Sequence, residues 1–502
     1  MRELLLGLDV GTTATKALLF DREGGVVASA SYAYGLMTPH EGWVEQDAEE
    51  LWRGVVETSR AVVAQAGDGG RVVALGLSSQ AGTTIPVDAD GVPVYNAFSW
   101  MDKRAEVQAR HVRETWGAEW VYRTTGWHLH SGLPLQHIAW LRQDRADDFA
   151  AVCYFLFVND FVVHRLTGRL CMNPSDAGIT QLMDIAAGDW DARLLELAGI
   201  SCDRLSPMRP SGYAVGTLTP QASEATGLPR DVLVVNGAHD QYCAAVGAGV
   251  TRPGRVLLSC GTAWVVLAVP ESREVGLDSG MSVSRHAVEG RWGAMRSLGG
   301  VGTSFEWLLD NVWGGKEAGE GRGQLYEVAN EGVARSAPGA GGLIFFPLAG
   351  GHASAIGTGR GGFLDLSLSH SRDDMARAVM EGTTFELRWA IEEMRAAQVE
   401  VAELRMVGGA AESSVWPQIV ADVTGVPVVL PAVKQAAGRG AAILAGVGAG
   451  LFADPEAGFA AFGGDEVRLE PNAESLGLYD KQFGVYQRLF QTLVRERDGW
   501  GT

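Results

Sequence analysis

A strand, a tight turn built on Gly-Thr and a second strand form a pattern that occurs twice in this chain. The first copy runs from Leu4 to Phe20 and turns at Gly11-Thr12. The second copy runs from Val256 to Val269 and turns at Gly261-Thr262. A Gly-Thr hairpin is common on its own, but two copies of the whole pattern predict a duplicated architecture.

The length of 502 residues also favours two domains, because a single hydrophobic core stops growing at roughly 250 to 300 residues. We place these domains at residues 1–248 and 249–502. Strand patterns alternate with helical patterns, such as the helix predicted from Ala48 to Ala66 behind a capping residue at Asp47. The sequence therefore predicts an α/β protein.

Charge and cysteine content exclude several classes of function. The formal net charge of −19 would repel a nucleic acid or an anionic membrane surface, so we expect neither as a partner. The five cysteines are odd in number, widely spaced and never in a C-x-x-C arrangement, which argues against disulfides and zinc. The apolar runs are far shorter than the ~18 residues of a membrane span. We expect a cytoplasmic protein.

The stretch from Asp9 to Lys16 lies between the two strands of the first copy. Its backbone N–H groups and the hydroxyls of Thr12 and Thr13 can point at one oxyanion, and Lys16 adds positive charge. A carboxylate at the position of Asp9 can hold Mg²⁺ through water, because that ion keeps much of its hydration shell. No G-x-x-x-x-G-K-[ST] motif is present, so this is not a Walker loop. The pattern indicates phosphate handling, with an ordinary Thr-rich hairpin as the alternative.

Asp240 follows a predicted strand and directly precedes a helical pattern. A carboxylate at the carboxyl end of a strand in an α/β unit faces the ligand crevice. There it could accept the proton of a substrate hydroxyl, as the base of a kinase does. Aspartate is also a frequent helix N-cap, and position alone leaves both roles open.

Two further features of the sequence bear on cofactors. Gly408-Gly409 joins a strand to a helix, a geometry that allows backbone to approach a nucleotide. The G-x-G-x-x-G spacing is missing, which disfavours NAD. His128, His130 and His137 lack the spacing of a metal site, so we interpret them as polar lining or surface groups.

Seven motifs in the same order resemble the FGGY family of carbohydrate kinases, which includes glycerol kinase, xylulokinase and gluconokinase. Each motif is weak alone, but together they span nearly the whole chain. The resemblance implies two actin-like (ribonuclease H-like) ATPase domains, with ATP, Mg²⁺ and the sugar meeting in a central cleft between them. The motifs are Gly7 to Lys16, Gly42 to Asp47, Gly76 to Gln80, Trp100 to Arg104, Gly237 to Gln241, Ser259 to Thr262, and Gly408 to Ala410.

Position in these motifs implies a role for each matching residue. Asp240 looks like the catalytic base and Gln241 like a substrate contact, while Asp9 looks like the metal-associated acid. The positions that look like contacts to the phosphates and the nucleotide are Thr12, Thr13, Lys16, Thr262, Gly302, Glu306, Gly409 and Ser413.

Substrate choice is where the sequence departs from the family members named above. After the Gly76 to Gln80 motif, glycerol kinases carry Arg-Glu and xylulokinases Met-His, whereas this chain has Ala81-Gly82. A small pair leaves room, which favours a larger polyol or ketose. Trp100 and Asp102 could contact a sugar, although Trp100 also fits a core position. The stretch from Asn159 to Gly168 is more similar to pentulose kinases, so we expect a pentulose such as xylulose, with glycerol, gluconate, or another ketose or polyol as alternatives.

Two other classes of protein could use the same fold. A nucleotide-driven switch would hydrolyse ATP without a sugar, but Gln241 beside an acid fits a sugar pocket better. A sugar-binding protein that has lost activity is disfavoured by the intact Asp9 and Asp240. We therefore expect ATP-dependent, in-line phosphorylation of a sugar or polyol hydroxyl. The sequence does not determine the oligomeric state, and a homodimer stays open.

Overall fold

The structure is a computed structural model that describes residues 2–315, 321–352 and 361–497. It divides into two compact units, each assembled from separate stretches of chain. The boundary between residues 248 and 249 stays a prediction. The first unit comprises Met1–Arg252, Val269–Ala294 and Gln435–Gly464, and the second comprises Pro253–Ala268, Met295–Lys434 and Asp465–Thr502.

The strands are numbered in chain order over the described residues. They are β1 (Glu3–Val10), β2 (Ala14–Phe20), β3 (Val26–Ala33), β4 (Glu45–Gln46), β5 (Arg71–Ser79), β6 (Thr84–Val87), β7 (Ala97–Phe98), β8 (Tyr154–Phe157), β9 (Met183–Asp184), β10 (Asp189–Trp190), β11 (Ala214–Thr217), β12 (Leu233–His239), β13 (Gly254–Cys260), β14 (Trp264–Ala268), β15 (Ser282–Arg285), β16 (Trp292–Gly299), β17 (Ile344–Phe346), β18 (Gly362–Leu364), β19 (Val401–Gly408), β20 (Val428–Leu430) and β21 (Val467–Leu469).

The helices are numbered in the same way. They are α1 (Ala48–Ala66), α2 (Glu106–Trp116), α3 (Ala118–Thr125), α4 (Pro134–Asp144), α5 (Ala146–Ala151), α6 (Val158–Thr167), α7 (Pro174–Ile179), α8 (Ala192–Ala198), α9 (Pro220–Thr226), α10 (Asp240–Gly247), α11 (Arg273–Asp278), α12 (Thr303–Val312), α13 (Arg322–Arg335), α14 (Arg372–Ala396), α15 (Trp416–Thr424), α16 (Ala436–Gly448), α17 (Pro455–Phe462) and α18 (Ala473–Arg497). No helix of the described residues is long and apolar enough to cross a membrane.

The main sheet of the first unit has the strand order β11-β12-β5-β1-β2-β3. β1, β2 and β3 form an antiparallel meander, and its first two strands are those that the sequence predicts on either side of the first Gly-Thr turn. β1 and β12 each pair in parallel with β5, so the carboxyl ends of these three strands lie at one edge of the sheet. Helix α1 covers β2 and β3 and has the predicted bounds, with the side chain of Asp47 capping the backbone N–H of Glu49.

Helix α16 packs against β1 and β5 in the same unit. A Cβ atom at Gly7 would lie 1.9 Å from the carbonyl oxygen of Gly438, and one at Gly76 would lie 2.1 Å from that of Ala441. Helix and sheet backbones therefore touch directly, which explains why the sequence of α16 is so rich in glycine and alanine.

The second unit contains the second Gly-Thr turn. β13 pairs antiparallel with β14 across this turn and parallel with β19, with Cys260 opposite Gly408. Gly408 has a φ of +91°, and a Cβ there would lie 2.6 Å from the carbonyl oxygen of Cys260. The two glycine-containing turns of this unit are thereby brought side by side.

Candidate active site

Asp9 lies at the end of β1, opposite Ser78 of β5 and Lys16 of β2. The hydroxyl of Ser78 donates a hydrogen bond of 2.7 Å to Oδ1 of Asp9, and Oδ2 accepts none from the described residues. Burial and the charge of Asp240 raise the pKa of Asp9 to about 6, while Ser78 and Lys16 act in the opposite direction. Asp9 therefore keeps one carboxylate oxygen available for a ligand.

The turn that follows Asp9 is held in place from three sides. The hydroxyl of Tyr34 donates to the carbonyl oxygen of Gly11 at 2.7 Å. Thr12 accepts two hydrogen bonds, from Nε2 of Gln46 to its carbonyl oxygen at 2.8 Å and from Nε1 of Trp100 to its hydroxyl at 3.1 Å. These contacts fix the backbone of the turn, as a preorganised anion site requires.

The side chains around this turn are accessible. Thr13 and Lys16 are exposed, and Thr12 is partly exposed. Trp100 is 42% exposed, so it does not occupy the core position that its sequence also allowed.

Asp240 begins α10 directly after the end of β12. Because His239 pairs with Ser79 of β5, Asp240 lies at the same sheet edge as Asp9. Two strand spacings, about 10 Å, separate the two residues along the sheet. The Asp240 side chain is 30% exposed, and its Oδ1 lies 3.0 Å from Nε2 of His239. Gln241 is partly buried, and its Oε1 accepts no hydrogen bond from the described residues.

His239 connects Asp240 to a second buried acid. Burial opposes a charged imidazole here, but the carboxylates of Asp240 and Asp176 outweigh it and raise the pKa of His239. The backbone N–H of His239 donates to the hydroxyl of Ser175. Burial also raises the pKa of Asp176 to about 7, although His239 acts against it. His239 therefore lies against the carboxylate of Asp240 and is also influenced by the buried Asp176.

Asp102 has a different role from the sugar contact that we expected. Its side chain is fully buried and forms a bidentate pair with Arg104, whose Nε lies 3.0 Å from both oxygens. The backbone N–H of Val44 donates to Oδ2 at 2.6 Å, and the Arg104 guanidinium also binds Glu45 and stacks 3.7 Å over the ring of Trp43. With both oxygens occupied inside the protein, Asp102 holds the loop before α2 rather than a substrate.

Ala81 and Gly82 are both buried just after β5. Gly82 has a φ of +79°, and a Cβ there would lie 3.2 to 3.5 Å from Trp100, Ile179 and Leu133. The space into which a side chain at position 82 would point is therefore already filled by other side chains. A larger residue at this position would strain the backbone and displace Trp100, which donates a hydrogen bond to Thr12.

The second unit contains a cavity of about 770 Å³, within the range of nucleotide-sized ligands. Three aromatic rings form one of its walls, with Phe305 and Trp264 each packed about 5 Å from Trp416. The cavity is lined by all five residues that the sequence suggests as phosphate or nucleotide contacts in this unit: Thr262, Gly302, Glu306, Gly409 and Ser413.

Glycine and serine shape this cavity. A Cβ at Gly302 would lie 2.4 Å from the carbonyl oxygen of Gly261, so only glycine lets the two segments meet. The hydroxyl of Ser413 accepts from the backbone N–H of Trp416 at the start of α15 and donates to Oδ1 of Asn330. Glu306 forms an ion pair with Arg322. The cavity thus has an apolar wall and a polar rim.

Sequence reasoning missed several residues of the first-unit site. The strand pairing that brings His239 and Ser78 to one edge is not visible in the sequence, and α7 carries Asp176 to the same place from elsewhere in the chain. The only local signal was the position of His239 directly before Asp240. No group of three or more His, Cys, Asp or Glu residues that could hold a metal occurs in the described part of the chain.

Models of known protein families decide the family. The N-terminal domain of the FGGY family of carbohydrate kinases matches residues 4–247, and its C-terminal domain matches residues 256–449. The chain belongs to the FGGY family of carbohydrate kinases. The fold is therefore the two-domain, actin-like α/β fold that we predicted, and the protein is an ATP-using carbohydrate kinase.

Individual FGGY kinases are similar over the whole length. The xylulose kinase of Staphylococcus epidermidis is 30% identical over 494 residues, which cover 98% of this chain and 97% of that protein. The gluconokinase of Bacillus subtilis is 27% identical over 449 residues, with coverage of 88% and 87%. The solved structure of the xylulose kinase from Rhodospirillum rubrum has a TM-score of 0.86 at 26% identity and covers 98% of this chain and 99% of its own.

Proposed function

We propose that this FGGY kinase transfers the γ-phosphoryl group of ATP to a hydroxyl of a pentulose such as xylulose. The observation that supports it best is the placement of Asp240, partly exposed at a strand end, with its carboxylate held by His239. The choice of a pentulose rests on the similarity to xylulose kinases.

Asp240 is the proposed general base. Its carboxylate accepts the proton of the substrate hydroxyl as that oxygen forms a bond to the γ-phosphorus and the bond to the bridging oxygen of ADP breaks. Gln241, next to Asp240, is a proposed contact for a neighbouring sugar hydroxyl. Trp100 contributes an exposed apolar surface beside the turn at Gly11-Thr12. Ala81 and Gly82 shape this region by letting Trp100 lie close to the backbone.

The residues around Asp9 fit a magnesium ion. Mg²⁺ prefers oxygen ligands and in kinases is held by one or two carboxylates, water and the phosphates, and Asp9 has one oxygen without a partner among the described residues. Bound Mg²⁺ would offset the negative charge of the phosphate oxygens. Thr12, Thr13 and Lys16 are the proposed protein contacts to those oxygens.

The cavity of the second unit is the proposed nucleotide site. Its aromatic wall suits a base, and Thr262, Gly302 and Gly409 offer backbone at close range. Glu306 and Ser413 at the rim could accept or donate hydrogen bonds to the nucleoside. The proposal includes a cytoplasmic location and leaves the oligomeric state open, with a homodimer as one alternative.

Gluconate is the second candidate acceptor, since the gluconokinase of Bacillus subtilis is also similar over most of the chain. Substrate specificity is tested by measuring ADP release with xylulose, ribulose, gluconate, glycerol and other polyols. A pentulose should give the highest kcat/KM, and a tenfold preference for gluconate or glycerol would overturn the choice of substrate.

The role of Asp240 is tested by Asp240→Asn. We expect kcat to fall by roughly 10²–10⁴-fold, the usual contribution of a general base, with little change in ATP binding. Asp454→Asn is a matched control, because Asp454 caps α17 in the same unit and asparagine caps helices about as well as aspartate. Near-normal turnover of Asp240→Asn would disprove the assignment.

A further inference from the structure

A second cavity of about 260 Å³ lies in the first unit. It is formed by the loop 208–211, by the hairpin segment 285–291, and by Pro174, Ala187 and Gly188. None of these residues belongs to the site proposed above. Its volume is below the usual range for nucleotides and drug-sized ligands, so it suits a small molecule or ion.

Three arginines line this cavity, in a protein with a net charge of −19. In the part of the chain that the structure describes, Arg209, Arg285 and Arg291 form no ion pair with a carboxylate, whereas many other arginines do. Glu289 is the one acidic residue in the cavity lining. The lining therefore carries more positive than negative charge, which favours an anion.

Arg285 is held rigidly at the cavity. Its Nε and Nη2 donate to the carbonyl oxygens of Ile185 and Ala186 at 3.1 and 2.7 Å, and its guanidinium stacks 5.0 Å over the ring of Trp292. Gly188, with a φ of +75°, lets the chain pass the guanidinium, because a Cβ there would lie 2.9 Å from it. A planar guanidinium fixed in this way is preorganised for an oxyanion.

The other two arginines are exposed and come from different segments. Arg209 donates through Nη1 to the carbonyl oxygen of Met208 at 2.7 Å, which leaves its other N–H groups for a ligand. Arg291 ends a turn that is closed by a hydrogen bond from the backbone N–H of His286 to the Arg291 carbonyl oxygen. The side chain of His286 is buried in the same lining.

We propose that this cavity is a binding site for a small phosphoryl anion, either inorganic phosphate or the phosphate group of a small phosphate monoester. Arginine is the preferred partner of phosphate, because its planar donors match two oxygens at once. The cavity is also connected to β12, the strand that precedes Asp240. Nδ2 of Asn236, on β12, donates to the carbonyl oxygens of Arg209 and Pro210, which line the cavity. A ligand here would therefore contact a loop that is bonded to the strand leading to Asp240.

The test measures binding rather than turnover, so its failure would leave the proposed kinase activity untouched. Inorganic phosphate and glycerol 3-phosphate are titrated separately into the protein by calorimetry at constant ionic strength. A saturating non-hydrolysable ATP analogue with Mg²⁺ is present throughout, to occupy the phosphate contacts of the kinase site. A lower dissociation constant for one of the two probes identifies which source of the phosphoryl group the cavity prefers.

The double variant Arg209→Gln/Arg291→Gln should weaken binding of the preferred probe at least about tenfold, because two charge-assisted hydrogen bonds are lost. Arg110→Gln/Arg113→Gln is the matched control, since both arginines are exposed on α2 of the same unit and form no ion pair among the described residues. Sugar phosphorylation by the double variant should match that of the wild type, which shows that it is folded. Equal affinity in the double variant and the wild type, or no binding of either probe at millimolar concentration, would overturn the proposal.

Discussion

Nε2 of His239 lies 3.0 Å from Oδ1 of Asp240, and both residues sit where β12 passes into α10. His239 is buried, and a second carboxylate, that of Asp176, adds to the attraction for its proton. The imidazole of His239 therefore holds one oxygen of the proposed base, and no described residue donates a hydrogen bond to the other. We propose that His239 is a positioning residue that acts through Asp240.

Replacing His239 with asparagine should lower kcat about tenfold, within the range expected for loss of one charge-assisted hydrogen bond. The pH dependence of kcat should also change, because the neighbouring carboxylates raise the pKa of His239 and asparagine does not titrate. Steady-state kinetics from pH 5 to 9 measure both effects. His111→Asn, on the exposed face of α2, is the control. An unchanged pH profile in His239→Asn would show that the histidine is only structural.

The parts of this site that could be predicted are those set by neighbouring residues in the sequence. Asp9 and the Gly-Thr turn are defined by a strand, a turn and a strand that follow directly on one another. His239 could not be assigned, because its role depends on which strand lies beside β12. Asp102 was misassigned because a strand-end position does not reveal that Arg104, two residues later, folds back on it. That buried pair is set by packing, with Trp43 and Glu45 as its other partners.

Gly302→Ala should impair nucleotide binding selectively. The new Cβ would lie 2.4 Å from the carbonyl oxygen of Gly261, so the second Gly-Thr turn must move. We expect the KM for ATP to rise at least about tenfold, a loss of about 1.4 kcal/mol, with the KM for the sugar little changed.

Gly323→Ala is the matched control for that experiment. Gly323 lines the same cavity, but a Cβ there meets no atom within 4 Å, so its KM for ATP should stay close to that of the wild type. Equal effects of the two substitutions would argue against the proposed nucleotide site.

Gly7→Ala should destabilise the first unit, because its Cβ would lie 1.9 Å from the carbonyl oxygen of Gly438. Helix α16 must then move away from the sheet, and overpacking of this kind costs about 1–3 kcal/mol or more. Urea unfolding followed by circular dichroism measures the loss. At Gly35 a Cβ meets nothing within 4 Å, so Gly35→Ala should leave the midpoint nearly unchanged. If both variants unfold at the same urea concentration, helix and sheet are not packed as closely as described.

Asp160 should make the stability of the protein depend on pH. Its side chain is fully buried, accepting from the backbone N–H of Phe157 and the hydroxyl of Ser206, both at 2.6 Å. Burial raises the pKa of Asp160 to about 7, although these hydrogen bonds oppose the shift. In the unfolded chain an aspartate has a pKa of about 3.9. The native state therefore holds a proton that the unfolded state has lost, and the contribution of this group to stability decreases as pH rises from about 4 to 7.

Asp160→Asn keeps the shape of the side chain and removes this titration. The difference in free energy of unfolding between Asp160→Asn and the wild type should increase in favour of the variant by on the order of 2 kcal/mol from pH 5 to pH 8. Urea unfolding at the two pH values measures this difference. Asp203→Asn, at an exposed position, should show no such gain, which controls for the general effect of removing one negative charge. A difference between Asp160→Asn and the wild type that is the same at both pH values would mean that Asp160 keeps its ordinary acidity in the folded protein, and that the two hydrogen bonds compensate fully for burial.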